Sequence, residues 1–192
     1  MDPIQIAAQR IDNCLSQGDT TLALDRLELT EIPAKIFELA HLEILDLRGN
    51  RFRKLPDSIG KLTHLQELSL SYNHLGNLPD SIGELKHLKE LWLSENELLT
   101  LPDALGTLGE LKILYLRENY LSQLPSTLIN LTNLNSINLM SNHFNQVPDC
   151  LCQMKGLEQI VLTDNPIEAL PERIGDLNPN KIANTFDGQY LF

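Results

Sequence analysis

The chain has 192 residues, of which 42% are hydrophobic and 21% are charged, and its formal net charge is −11. This acidic balance argues against nucleic acid and anionic lipid as partners, because both are bound through patches of Lys and Arg. No apolar run approaches the roughly 18–20 residues that a membrane-spanning helix requires, and the first residues lack the basic-then-apolar layout of a cleavable secretion signal. We therefore expect a cytoplasmic protein with a protein partner. A protein delivered by dedicated secretion machinery would show the same sequence features.

Residues 2–18 predict a short amphipathic helix at the start of the chain. Asp2 is suited to cap it, Pro3 fits the first helical position, and Gly18 is suited to end it. The apolar residues that recur at helical spacing, and are expected to share one face, are Ile4, Ala7, Ala8, Ile11, Cys14 and Leu15. Such a helix would cover the open end of the structure that follows it.

An asparagine then recurs every 23 residues, within the pattern LxxLxLxxNxLxxLPxxI. The positions are Asn50, Asn73, Asn96, Asn119, Asn142 and Asn165. Self-similarity at a fixed period of this length indicates a solenoid built from stacked units. Seven repeats fit residues 19–177, and the first is degenerate because Leu27 stands at its asparagine position.

The tail, residues 178–192, loses the repeat pattern. Its apolar residues are suited to cover the last strand edge, and we favour a C-terminal cap. The alternative is that the tail begins a downstream region. On the first interpretation, residues 1–192 form one domain.

The repeat predicts an α/β solenoid with a parallel sheet on its concave face. Two leucines at alternate positions, such as Leu45 and Leu47, point the same face of a short strand inward, where stacked repeats bury them against one another. The Leu-Pro segment returns along the convex face as a short helical or irregular segment, which the glycines Gly60, Gly83, Gly106 and Gly175 are expected to end. The asparagines are expected to form a ladder of hydrogen bonds with the backbone.

The motif is identified as that of the leucine-rich repeat family, and it covers nearly the whole chain. The 23-residue unit, with Leu-Pro after the asparagine turn, resembles the intracellular class found in Shoc, Scribble-type scaffolds and Ras-suppressor proteins. Bacterial Roco proteins and some bacterial effectors carry similar arrays. The resemblance implies a curved horseshoe that binds proteins on its concave face.

The outward-facing strand positions contain a candidate partner-binding cluster. Trp92 is the single tryptophan of the chain, and the register predicts that it is exposed beside Tyr115 on the next strand. Aromatic anchors with a polar rim are typical of protein interfaces, although the same pair could simply stabilise the sheet. The full predicted site comprises Tyr72, Glu90, Trp92, Glu95, Ile113, Tyr115, Arg117, Glu118 and Met140.

We expect no catalytic residues, no metal and no cofactor. None of the five histidines is placed by sequence beside a persuasive nucleophile and orienting acid. The Cys150-x-Cys152 pair lacks a second pair of metal ligands, and an odd total of three cysteines does not suggest a disulfide framework. We therefore predict a monomeric protein-interaction module or adaptor. The alternatives are the recognition arm of a larger signalling enzyme, such as a Roco GTPase or a kinase, and a secreted bacterial effector.

Overall fold

A computed structural model describes residues 2–168. The first element is helix α1, Pro3–Gln17, which begins with Pro3 in its first turn and ends at Gly18 in the left-handed conformation. The carboxylate of Asp2 accepts a hydrogen bond from the backbone N–H of Ile4 at 3.4 Å. The predicted helix and both of its end signals are therefore confirmed.

The buried face of α1 is narrower than the sequence predicts. Ala7, Ile11 and Cys14 are buried, whereas Ile4, Ala8 and Leu15 are exposed. The helix contacts the solenoid along a single stripe at i, i+4 and i+7, so apolar residues beside that stripe remain in solvent. Of the six apolar residues expected to share one face, these three are therefore not buried by the solenoid.

Within residues 2–168, seven strands of three residues each form one parallel sheet, and they lie in chain order. They are β1 Thr21–Ala23, β2 Ile44–Asp46, β3 Glu67–Ser69, β4 Glu90–Trp92, β5 Ile113–Tyr115, β6 Ser136–Asn138 and β7 Gln159–Val161. Paired residues are 23 positions apart throughout, as Leu68 with Leu91 and Trp92 with Tyr115. The predicted solenoid and its register are confirmed.

The convex face consists of short helical turns, each following a proline that is fixed in an extended conformation. Five are 3₁₀ turns and the sixth is a short helix, α2: Ala34–Glu38, Asp57–Lys61, Asp80–Glu84, Asp103–Thr107, Ser126–Asn130 and α2 Asp149–Gln153. Between this face and the sheet, the repeat leucines form a continuous buried core.

Glycine has a different role on the convex face from the one that the sequence suggested. Gly60, Gly83 and Gly106 lie inside the 3₁₀ turns and do not end them. A Cβ atom placed on Gly106 would lie 2.4 Å from the carbonyl oxygen of Thr127 in the next repeat. These glycines are therefore required because neighbouring turns pack closely against one another.

The asparagine ladder is present in the structure as expected. The side chain of Asn96 donates to the carbonyl oxygens of Leu93 at 3.1 Å and of Leu70, one repeat earlier, at 3.0 Å. Its oxygen accepts from the backbone N–H of Leu75 at 3.0 Å. Even the degenerate first repeat joins the ladder, since the backbone N–H groups of Leu27 and Leu29 donate to Asn50.

The residue before each asparagine position adopts a left-handed backbone conformation. This column has φ between 54° and 67° and comprises Arg26, Gly49, Tyr72, Glu95, Glu118, Ser141 and Asp164. Among them only Gly49 lacks the Cβ atom that makes this conformation unfavourable. The strained backbone turns the chain out of each strand and places these side chains at the edge of the concave face.

The last part of the seventh repeat, which includes Gly175, and the tail, residues 178–192, lie outside the described residues. The role of Gly175 and the capping role of the tail therefore stay predictions. Within residues 2–168, no helix has both the length and the apolar character needed to cross a membrane.

Candidate functional site

The concave face contains a groove with a volume of about 490 Å³ that runs across strands β2 to β6. From the predicted set, the groove is lined by Tyr72, Glu90, Trp92, Glu95, Tyr115 and Arg117. These side chains come from consecutive repeats, and the parallel register brings them together although they are separated by up to 45 positions in sequence.

Trp92 and Tyr115 form the aromatic centre of the groove. Their ring centroids are 4.7 Å apart and their planes meet at 71°, an edge-to-face contact. The indole Nε1 of Trp92 also donates a hydrogen bond to Glu90 at 3.2 Å. Trp92 faces the groove as the register predicts, but it is half-buried rather than exposed, because Tyr115 packs against its ring. The two side chains therefore stabilise each other and line the groove at once.

A polar network lies along the adjoining edge of the groove. Arg117 donates to Glu118 through Nε at 2.8 Å, and a second guanidinium nitrogen lies 3.9 Å from Glu95. Tyr72 hydrogen-bonds to Glu95, which, together with the negative charge of that carboxylate, raises the pKa of the tyrosine hydroxyl. The hydrogen bond to Glu118 likewise raises the pKa of Arg117. The positive charge of Arg117 is thus already engaged by two carboxylates.

The groove also contains residues that the sequence prediction missed, among them the four polar residues Asp46, Arg48, Glu67 and Ser71. Arg48 is paired with Asp46 at 2.9 Å. Glu67 is the in-register neighbour of Glu90 on the adjoining strand. All four occupy the same outward strand columns as the predicted residues, so the 23-residue register contained the signal that would have found them.

Three predicted residues lie outside the groove. Ile113 and Met140 are half-buried on the concave face beside it. Glu118 contacts the groove through Arg117, but lines a neighbouring hollow together with Tyr120, His143 and Asp164. The structure therefore places the aromatic pair and its nearest polar groups in one groove, with these three at its margin.

The histidines and cysteines lie apart from this groove. His74 pairs with Glu97 at 2.8 Å and His87 with Glu110 at 3.1 Å, all on exposed surface. Across the described range 2–168, no group of three or more His, Cys, Asp or Glu side chains is arranged to hold a metal ion.

Comparison with known families accounts for the repeat pattern. Residues 21–97 match the leucine-rich repeat region family, and residues 87–108 and 109–167 match two further leucine-rich repeat families. The chain belongs to the leucine-rich repeat family. No curated protein matches this leucine-rich repeat chain.

Solved structures similar to this leucine-rich repeat chain come from bacteria and plants. A leucine-rich repeat protein of Leptospira interrogans is 31% identical with a TM-score of 0.61, over 88% of this chain and 55% of that chain. The ectodomain of the Arabidopsis thaliana membrane receptor kinase GASSHO1/SCHENGEN3, in complex with CASPARIAN STRIP INTEGRITY FACTOR 2, is 31% identical with a TM-score of 0.64, over 71% and 17%. The plant peptide hormone receptor RGFR1, in complex with RGF2, is 27% identical with a TM-score of 0.67, over 82% and 26%.

This leucine-rich repeat chain therefore spans from about a sixth to just over half of the length of these structures. Each of them shares the curved array of repeats with it, and two are complexes with a bound partner.

Proposed function

We propose that this leucine-rich repeat chain is a protein-binding module whose partner occupies the concave groove around Trp92 and Tyr115. The observation that carries the proposal is the aromatic pair itself. The repeat requires leucine or isoleucine at its inward positions and nothing aromatic at the outward ones, yet the single tryptophan and a tyrosine lie side by side in the groove.

The surroundings of the pair support the same proposal. Half-buried aromatic side chains enclosed by charged and hydroxyl groups have the composition of a protein interface, with an apolar centre and a polar rim. Two of the similar solved structures are plant receptor complexes with a bound partner. Binding by this chain would use a preformed surface, because each groove residue lies on a strand of the sheet or within three residues after one.

The test is affinity capture from native lysate, followed by measurement of the captured partner's affinity for variants. Trp92→Ala and Tyr115→Ala should each weaken binding by about 2 kcal/mol or more if they anchor the partner. Tyr120→Ala is the matched control, because this tyrosine is 47% exposed and lies outside the groove. Full affinity in the Trp92→Ala, Tyr115→Ala double variant would refute the placement of the site.

The finer features of the function are part of the proposal as well. We place the chain in the 23-residue intracellular class, as a cytoplasmic monomer that binds rather than catalyses. Light scattering on the purified protein tests the monomer, cell fractionation tests the compartment, and a screen for nucleotide hydrolysis tests the absence of catalysis.

A second candidate function is recognition within a larger signalling protein. It is favoured by the observation that the chain spans only 55%, 26% and 17% of the similar structures. The length of the native open reading frame decides between this candidate and a free-standing adaptor or effector.

A further inference from the structure

The charges in the concave groove are not balanced internally. Four carboxylates line it, from Asp46, Glu67, Glu90 and Glu95, against the two guanidinium groups of Arg48 and Arg117, which gives a formal charge of −2. Both guanidinium groups are already paired, Arg48 with Asp46 and Arg117 with Glu118 and Glu95. Neither guanidinium group is therefore left unpaired to bind an acidic ligand.

Glu67 and Glu90 are the carboxylates that remain without a cation. They are paired in register on neighbouring parallel strands, so their backbones are separated by about 4.8 Å. Neither forms an ion pair within residues 2–168, and both are half-buried. Two like charges placed this closely on a strand pair are unfavourable until a positive group lies between them.

A second, independent observation also indicates a ligand at this place. Ser71 lines the groove and is only 6% exposed, yet its hydroxyl makes no hydrogen bond with any residue in the described range. Within this range the fully buried side-chain oxygen without a partner is that of Ser81, so the hydroxyl of Ser71 is accessible to solvent from the groove. The Ser71 hydroxyl has its donor and acceptor available to a polar group that enters the groove.

We propose that the groove binds an extended segment of a partner protein through one arginine side chain, which is inserted between Glu67 and Glu90. This inference rests on the proposed protein-binding function and names the chemistry of its partner. A guanidinium group presents a planar set of five donors and can serve two carboxylates at once, whereas an ammonium group is a compact point charge. The backbone of the segment satisfies the hydroxyl of Ser71.

The aromatic pair adds to the preference for a cation. Glu90 accepts the hydrogen bond from the indole of Trp92 at 3.2 Å, so a guanidinium group attracted to Glu90 arrives beside the indole. Arginine is stabilised against tryptophan rings more than other cations are, and its apolar stem covers the remaining aromatic surface.

Binding in the groove can be followed by tryptophan fluorescence, because Trp92 is the single tryptophan of the chain and lies in the groove. The probe is a blocked octapeptide with a central Leu-Arg-Leu, titrated to millimolar concentration while the tryptophan fluorescence is recorded. The matched peptides carry glutamine or glutamate in place of arginine. We expect a saturable change with the arginine peptide and binding at least tenfold weaker with the other two.

The variants are Glu67→Gln and Glu90→Gln, each of which removes a charge while it retains the shape and the accepting oxygen of the side chain. Together they should weaken arginine-peptide binding at least tenfold without lowering the thermal midpoint, because the repulsion between the two carboxylates is removed as well. Asp57→Asn, on the convex 3₁₀ turn, is the control and should have no effect.

Three results would overturn the inference: no saturable response to the arginine peptide, equal binding of the glutamine peptide, or unchanged binding by the double variant. The proposed function is tested separately by the captured partner. If that partner needs Trp92 but binds the Glu67→Gln, Glu90→Gln variant normally, protein binding in the groove stands and the arginine is refuted.

Discussion

The ring of Trp92 meets the ring of Tyr115 edge-to-face, with 4.7 Å between their centroids, across the β4–β5 strand pair. Because each ring shields the other, the pair should contribute to folding as well as to binding. We expect a double-mutant cycle of Trp92→Ala and Tyr115→Ala, measured by urea unfolding, to give a coupling free energy of about 0.5–1.5 kcal/mol. Strictly additive effects would show that the contact contributes nothing beyond the area that each ring buries.

Buried and exposed leucines should respond very differently to truncation. Leu93 is completely buried beneath the sheet, and Leu93→Ala should lower the free energy of unfolding by about 2–5 kcal/mol through the cavity that it leaves. Leu99 is 61% exposed, and Leu99→Ala should change the free energy of unfolding by less than about 0.5 kcal/mol. Chemical denaturation of both variants measures the difference. Normal stability of Leu93→Ala would contradict the inward position of that side chain.

Each asparagine of the ladder should contribute more to the free energy of unfolding than a typical surface amide does. Asn96→Ala leaves the backbone N–H of Leu75 and the carbonyl oxygens of Leu70 and Leu93 without this partner, all in a buried setting. We expect a loss of about 1–3 kcal/mol in the free energy of unfolding, because the N–H of Leu75 is left unsatisfied, whereas the two carbonyl oxygens still accept from the side chains of Asn73 and Asn119. Asn130→Ala, at an exposed convex position, is the control and should be nearly neutral. Similar midpoints for the two variants in thermal melts would rule out a supporting role of the ladder.

Two glycines in the same repeat should differ in their tolerance of a methyl group. At Gly106 the added Cβ would lie 2.4 Å from the carbonyl oxygen of Thr127, so Gly106→Ala should cost about 1–3 kcal/mol. At Gly109 no heavy atom beyond the adjacent residues lies within 4 Å of the added Cβ, and Gly109→Ala should be neutral or slightly stabilising. Thermal midpoints of the two variants check this directly. If Gly106→Ala melts with the native protein, the convex turns are not packed as closely as the structure indicates.

Stability should decline in alkaline solution in a way that depends on Cys150. Burial raises the pKa of the Cys150 thiol from its ordinary value of 9.0 to about 11. The folded protein therefore retains a proton between pH 9 and pH 11 that the unfolded protein releases. The associated stability, about 2 kcal/mol, is complete below pH 9 and is lost as the pH rises through 11. Denaturation of the native protein and of Cys150→Ala at pH 8 and pH 10.5 measures it, and an identical pH dependence in the two would contradict it.

The sequence was sufficient to predict the strands and their register over residues 21–161, because its period assigns an inward or outward direction to every strand residue. It predicted the partners of Trp92 in the sheet but not its burial, since burial depends on which rotamer Tyr115 adopts one repeat later. The sequence also predicted helix α1. It did not predict how many apolar residues of that helix are buried, because this depends on how α1 packs against β1. A repeating pattern assigns the same environment to equivalent positions, so it does not predict side-chain contacts that differ from one repeat to the next.

The glycines of the convex face illustrate the same limit. A glycine after a helical turn is usually a terminator, and the sequence offers no sign that Gly106 instead faces the backbone of Thr127. The sequence also does not show which carboxylate each cation binds: Arg48 pairs with Asp46, two residues before it in the same repeat, and Glu67 and Glu90 are left without a cation. These contacts decide the charge that the groove presents.

The sequential order of the strands has a mechanical consequence. The ladder bonds between repeats join residues 21 to 26 positions apart, as between Leu98 and Asn119 or Asn119 and Leu93. In the part of the chain that the structure describes, each strand pairs only with its neighbours in the chain. A force applied at the two ends of this array would therefore meet no strand pairing between distant repeats, and it would unfold the repeats one at a time. Each detached unit of 23 residues would release about 80 Å of chain, so the array would behave as an extensible spring with evenly spaced steps.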